Sequence, residues 1–220
     1  MGGEVALDTD VLLKAAAFRL SAELCSLLAP IGPPAILGLT HLIAAKQLNR
    51  ISRIADKERA RVELEKALAL LGQLEPDDDE IALAAEISAA AQIRGLPLDS
   101  GEAQLMAILI HQELPLVVTG DKRALTSLSV LIRDGAVQGI ATGRLVCFEQ
   151  IIARLGELMD VGELRAKVCA EPGADGAMSI IFCCGRETWD SSQFTEGCAS
   201  YIRHLREEIG GLLADDSTLT

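Results

Sequence analysis

The chain hands strands over to helices repeatedly, and the clearest handovers fall on acids. Glu4-Val-Ala-Leu-Asp8 reads as a short strand ending on an acidic turn, and Val11 to Phe18 follows with helix-forming composition. Further on, Leu98-Asp-Ser-Gly-Glu102 opens a helix running to about His111. Leu114 to Thr119 is a buried strand by its β-branched run, and Asp121 begins a helix through Leu131. A helix between two strands returns the chain to the end where the first strand began, so such strands pair in parallel. The alternation predicts an α/β fold of three layers, α/β/α, with a central parallel sheet.

The rest of the chain fits around that frame. Pro30, Pro33 and Pro34 interrupt the pattern ahead of Ala35-Ile-Leu-Gly-Leu-Thr40, and helical periodicity resumes from His41 to Leu48. Residues 56–72 predict an amphipathic helix stopped by Gly72. Glu75 and Asp77 to Glu80 precede the Ala-rich segment Ile81 to Arg94, which Gly95 closes. Negative charge there complements a helix dipole, so this acid run reads as a helix start rather than a metal site. Val137 to Phe148 holds a further strand or two, with Arg144-Leu-Val-Cys147 the best candidate, before a helix from Phe148 to Leu158.

These elements predict a main domain over residues 1–150 and a mainly helical C-terminal extension over 151–220. In the extension, Glu171 to Gly176 reads as a loop, Ser179 to Cys183 as a short strand, and Phe194 to Leu213 as an amphipathic helix. Its apolar positions Phe194, Cys198, Tyr201, Leu205, Ile209 and Leu212 recur at three- and four-residue steps. Such a stripe has to be covered, by this domain or by a second copy of the chain.

Half of the 220 residues are hydrophobic and mean hydropathy is +0.30, yet no apolar run approaches the roughly 18 residues of a membrane span. The hydrophobicity is therefore assigned to a core, with no membrane partner. The N-terminus lacks a basic stretch followed by an apolar one, so a cytoplasmic location is expected. A net charge of −12 opposes general binding to polyanions but leaves room for a basic rim around an acidic site. Cys25, Cys147, Cys169, Cys183, Cys184 and Cys198 lack paired spacing and predict buried thiols rather than zinc ligands or disulfides. His41, His111 and His204 lack the spacing of a metal triad and are given structural roles, and Trp189 that of a packing anchor.

Three acidic turns remain: Asp8-Thr9-Asp10, Asp99-Ser-Gly-Glu102 and Thr119-Gly-Asp121. In an open parallel sheet, groups at the carboxyl ends of the strands collect in one crevice, where ligands bind. Carboxylates gathered there suit a hard divalent cation, Mg²⁺ or Mn²⁺. The same residues have a plainer use, since Asp and Ser cap helices and Asp99 to Glu102 has capping-box spacing. Taken singly, each turn reads as a cap.

Taken together, their order and context resemble the PIN-domain family. Val5-Ala-Leu-Asp-Thr-Asp-Val-Leu-Leu13 is similar to the family's opening strand and its Asp-Thr-Asn-Val-Leu-Leu signature, with Asp10 in place of Asn. Leu98 to Ile110 resembles the helix bringing the third family acid, here Glu102, and Leu116-Val-Val-Thr-Gly-Asp-Lys-Arg-Ala-Leu125 the late strand-turn motif whose acid is Asp121. The resemblance covers residues 4–148. It implies a metal-dependent endoribonuclease, a hydrolase of RNA phosphodiester bonds of the toxin–antitoxin kind. Its expected partners are RNA, an antitoxin or other protein, or a second copy of the chain.

The resemblance further implies that Asp8, Glu102 and Asp121 hold Mg²⁺ or Mn²⁺ and carry catalysis, activating water against the phosphate. Asp10 and Asp99 would surround them and Thr119 would orient them by a hydrogen bond. Lys14, Lys122 and Arg123 lie near enough in sequence to meet phosphates, or stand as solvated surface charge. One departure opens a second expectation. The family places another acid on the helix spanning Leu39 to Leu48, but no Asp or Glu occurs between Glu23 and Asp56, and Lys46 or His41 stands about there. The alternative is a non-catalytic PIN-like module that binds protein or RNA, with the C-terminal extension as its interface.

Overall fold

The computed structural model describes residues 3–140 and 142–219. Strands β1 (Val5–Leu7), β2 (Pro34–Leu37), β3 (Gly72–Leu74), β4 (Leu116–Thr119) and β5 (Leu145–Cys147) form one sheet in the order β3-β2-β1-β4-β5, with every pairing parallel. The chain thus starts in the middle, winds outward one way through β2 and β3, then crosses back to β4 and β5. In this arrangement the ends of β1 and β4 adjoin at the reversal of strand order, the usual place for a ligand crevice.

Strand residues alternate between two cores, as the two-residue period requires. Val5, Leu7, Ile36, Leu116, Val118 and Val146 face one layer of helices: α1 (Thr9–Phe18), α2 (Ser21–Leu28), α4 (Lys57–Leu68) and α8 (Phe148–Leu158). Ala6, Ala35, Leu37, Val117, Leu145 and Cys147 face the other, built from α5 (Asp78–Ile93), α6 (Ser100–His111) and α7 (Lys122–Arg133). Both faces of β1, β2, β4 and β5 are therefore buried, while the edge strand β3 leaves Gln73 exposed, and this burial is why β4 reads as an unbroken apolar run. This is the three-layer α/β/α architecture that the strand–helix alternation predicts.

Helix α3 (Gly38–Arg50) springs directly from β2, and the expected helix over residues 56–72 ends earlier, at Leu68. Gly72 begins β3 rather than stopping a helix. Nothing in the local sequence marks β2 and β3 as strands, because three or four residues carry too little periodicity to recognise. Pro34 is tolerated at the first position of β2, where proline's missing N–H costs no ladder bond. A single strand, β5, occupies the described part of Val137 to Phe148; Ala141 lies outside the described residues.

Beyond α8 the chain is helical: α9 (Val161–Ala170), α10 (Gly176–Ile181) and α11 (Ser191–Ile209). The expected strand from Ser179 to Cys183 is instead the end of α10 and a turn. Asp175 caps that helix by accepting the Met178 N–H at 2.9 Å, and burial of Met178 and Ile181 overrides the local β-branched preference. Helix α11 lays Phe194 and Cys198 into one core and Ile202, Leu205 and Ile209 into the other, so it straddles the β5 edge of the sheet. The backbone N–H of Ala214 then donates to Leu145 at 2.7 Å. The tail thereby covers an edge strand whose polar groups would otherwise stand unpaired.

The cysteines depart from expectation in one respect. Cys169 and Cys184 are joined by a disulfide, while Cys25, Cys147, Cys183 and Cys198 are free. Packing of α9 against α10 places their Cα atoms 5.2 Å apart, a tertiary approach that the spacing of cysteines along the chain does not encode. Among the described residues, no helix is long and apolar enough to cross a membrane.

Candidate functional site

A cavity of about 370 Å³ opens at the carboxyl end of the sheet. Asp8 reaches it from the end of β1, Asp10 from the first turn of α1, Asp99 and Glu102 from the start of α6, and Asp121 from the turn after β4. The three acidic turns thus share one crevice. Helix α3 supplies the remaining wall with Leu39, Thr40, Ile43 and Gln47. Neither Lys46 nor His41 lines it: Lys46 is exposed, and His41 Nε2 lies 3.3 Å from the carbonyl of Leu68. The place expected for another acid therefore presents Thr40, whose Oγ is 2.9 Å from that of Thr9.

The capping reading proves right for two turns and not for the third. Asp99 and Glu102 form a reciprocal capping box, each carboxylate accepting the other's backbone N–H at 2.8 Å. Asp121 caps α7, its Oδ1 accepting from the amides of Arg123 at 2.8 Å and Ala124 at 3.4 Å, while the exposed Arg123 guanidinium donates to Oδ2 at 2.9 Å. Asp8, although it stands at the N-cap of α1, makes no side-chain cap bond. Its Oδ2 instead accepts from Thr119 Oγ at 3.2 Å, and that same Oγ receives the Asp121 N–H at 3.2 Å. Thr119 thereby ties β1 to the β4 turn.

The electrostatics separate these carboxyls. Asp8 is pushed up to about 7, first by burial and then by the charges of Asp10 and Asp99, against its hydrogen bonds. Glu102 is pushed up to about 8, again chiefly by burial, with Asp99, Asp121 and Asp8 adding to the shift. Asp121 moves the other way: burial opposes its charge, but Arg123 and the backbone amides hold the carboxyl below its usual range. Two acids that ionise near neutrality in one cleft mark it as a candidate functional site. They can exchange protons there, or ionise fully beside a cation.

The lysines expected at the rim are committed inward. Lys14 Nζ lies 2.6 Å from Asp10 Oδ2 and 2.7 Å from Asp175 Oδ2. Burial works against its charge, yet these two carboxylates outweigh it and raise the ammonium above its ordinary range. Lys122 Nζ lies 2.6 Å from Glu149, which is 1% exposed, and 4.4 Å from the ring centre of Tyr201. Gly120 lets these groups come close: a Cβ there would stand 2.3 Å from Asp10 Oδ2, and the Asp10 carboxylate would have to move away from Lys14 to make room.

Glu149, Asp175 and Thr40 carry no assignment from the sequence. Glu149 was findable, since it follows β5 at a strand-to-helix handover like the other acids. Asp175 arrives only through tertiary packing, and Tyr201, legible as part of the α11 stripe, meets Lys122 only through the same packing.

Among the described residues, one set of His, Cys, Asp or Glu has three ligand atoms all within 4.8 Å of one another: Asp77, Glu80 and His111. It lies apart from the crevice and is a capping box with a histidine beside it. Asp77 and Glu80 exchange backbone bonds at 2.8 and 2.9 Å, and His111 Nδ1 is 3.3 Å from Glu80. The acid run therefore starts α5, as its position in the sequence predicts. Asp8, Glu102 and Asp121 share a cavity without their oxygens meeting at that range.

The fold and crevice define a doubly wound α/β protein with an acidic site at the sheet's carboxyl end. Comparison with family models, with characterised proteins and with solved structures finds no match.

Proposed function

We propose that the chain is a PIN-like ribonuclease whose crevice takes Mg²⁺ or Mn²⁺ and hydrolyses RNA phosphodiester bonds. The observation that carries this reading is the pair Asp8 and Glu102, buried in one cavity with carboxyls pushed up to about 7 and 8. Carboxylates that resist ionisation without a cation are stabilised when a hard divalent ion enters between them. The donor set is of the right chemistry for such an ion, all carboxylate oxygens, and Asp8, Glu102 and Asp121 would have to draw together to share it. Asp8 is not used as a cap, and Glu102 engages one oxygen with the Asp99 amide, leaving Oε1 for the cavity. Asp121 completes the set by releasing Arg123, whose side chain is exposed and free to swing toward a phosphate.

When bound, the cation lowers the pKa of a water and neutralises charge developing on the phosphate. Thr119 keeps Asp8 aimed, Asp99 keeps Glu102 aimed through the capping box, and Gly120 lets the β4 turn approach Asp10 and Lys14.

A second reading is favoured by α3, which offers Thr40, Ile43 and Gln47 where the family resemblance calls for an acid. On that reading the crevice is a degenerate module that binds RNA or protein without cutting. One experiment separates them: incubation of the parent and Asp8→Asn with a structured RNA and Mn²⁺, alongside melting curves with Mn²⁺ and with chelator. The nuclease reading expects Mn²⁺-dependent cleavage and a Mn²⁺-induced rise in Tm, both lost in Asp8→Asn. A parent that neither cleaves nor responds to Mn²⁺ rejects it.

A further inference from the structure

The bond between Cys169 and Cys184 spans a sequence separation of 15 and closes a loop that reaches back to the N-terminal part of the chain at three points. Glu171, buried, accepts the backbone amides of Ala55 at 2.7 Å and Asp56 at 2.8 Å at the start of α4. Gly173 lies so close to Arg53 that a Cβ would stand 2.3 Å from its carbonyl oxygen. Asp175, also buried, reaches Lys14 beside the acidic cavity, with its other oxygen fixed by the Met178 amide. The loop's base is also held without covalent bonds, Arg165 donating to the carbonyls of Phe182, Cys183 and Arg186. Both bonded cysteines are partly exposed and so within reach of a small thiol.

We propose that the loop closed by Cys169 and Cys184 is a thiol-sensitive clasp, which in its disulfide form keeps Lys14 locked between Asp10 and Asp175 and in its dithiol form releases that ammonium to the cavity rim. A disulfide limits how far a loop can open, so its loss raises the population of open forms without altering the closed contacts. The chemistry balances with a low-molecular-weight dithiol as reductant. One thiolate attacks a cysteine sulfur, expelling the other cysteine as its thiolate and leaving a mixed disulfide; the second thiolate then attacks the reagent's own sulfur in that mixed disulfide and expels the remaining cysteine thiolate. Two electrons pass to Cys169 and Cys184, which leave as two thiols carrying the dithiol's two protons, and the reductant becomes a cyclic disulfide. The inference stands apart from the nuclease reading, because its readouts are thiol state and lysine reactivity rather than RNA cleavage.

The test uses the full chain, oxidised with glutathione disulfide or reduced with dithiothreitol, each reagent removed before measurement. Alkylation and peptide mass spectrometry read the state of Cys169 and Cys184. Acetylation by a water-soluble N-hydroxysuccinimide ester reads Lys14, with exposed Lys46 as internal reference. The oxidised chain is expected to protect both cysteines and to acetylate Lys14 several-fold more slowly than the reduced chain, at equal Lys46 rates. Asp175→Asn keeps an acceptor for the α10 cap and the disulfide, yet should acetylate Lys14 rapidly in both redox states. The Cys169→Ser, Cys184→Ser double variant should behave as reduced throughout; if it fails to fold, Asp175→Asn carries the comparison alone. Two results overturn the proposal: both cysteines alkylating freely after the oxidant, or Lys14 reacting at one rate whichever the redox state.

Discussion

Asp8 and Glu102 hold protons in the folded chain at pH values where an unfolded chain has lost them, and this fixes a sign. Their folded values, about 7 and about 8, lie above the ordinary 3.8 and 4.5. The stability they contribute is complete below about pH 4 and is lost as pH rises through about 7 to 8. Urea midpoints in chelator should therefore fall between pH 5.5 and 8.5, and fall less in Asp8→Asn. Equal pH slopes in the two proteins would count against a strained Asp8. A divalent ion takes these groups as anions, so the Mn²⁺-induced rise in Tm should grow over the same pH window. At a hundredfold excess over Kd it should reach about 5 to 10 °C for a chain of this size. Asp121→Asn belongs beside it: Asn still caps α7 but gives up the Arg123 ion pair that holds the carboxyl below its usual range, so the metal-free variant should melt slightly below the parent, while most of the Mn²⁺ response disappears. An unchanged response would leave Asp121 as a cap alone. At Gly120 the constraint is steric. Gly120→Ala drives a methyl into Asp10 and Lys14, and should cost about 1 to 3 kcal/mol in urea unfolding.

The elements show how one residue type serves two purposes. Asp77 with Glu80 and Asp99 with Glu102 are equivalent capping boxes, at α5 and α6. The first lies apart from the crevice and the second forms its rim, so capping and site chemistry are not exclusive. Asp77→Ala should cost about 1 kcal/mol, with Asn recovering most of it. Under the proposed function neither change touches the Mn²⁺ response, whereas Asp8→Asn abolishes it. A melting series over these three variants also tests the Asp77, Glu80 and His111 set, because loss of the response with Asp77→Ala would move the metal there. Helix starts, acid turns and the β4 strand were legible because each is written in consecutive residues. Strands β2 and β3 were not, since Pro34 to Leu37 and Gly72 to Leu74 become strands only by pairing with β1 and with each other.

In the whole molecule the C-terminal helices are built into the same cores as the sheet. Phe194 and Cys198 belong to the same core as Phe18 and Phe148, while Leu205 and Ile209 belong to the same core as Leu125 and Leu145. Residues 1–150 and 151–220 are accordingly expected to unfold together. Fluorescence of Trp189, the sole tryptophan, should lose its folded signal at the same urea concentration as far-UV circular dichroism. Leu205→Ala, at a buried position, should shift both by roughly 2 to 5 kcal/mol. Two separate transitions would instead make the extension an independent unit.

By itself the sequence determined the layer architecture, the stripe on α11 and the three acidic turns, because hydrophobic period, β-branching and cap chemistry act over a few neighbouring residues. Tertiary structure alone decided the rest. It placed Thr40 where another acid was sought, committed Lys14 and Lys122 to Asp175 and Glu149, joined Cys169 to Cys184, and raised Asp8 and Glu102 toward neutrality. Each of those outcomes depends on groups far apart in the chain meeting at short range. Burial and charge are properties of that meeting, and the linear order of residues does not contain them.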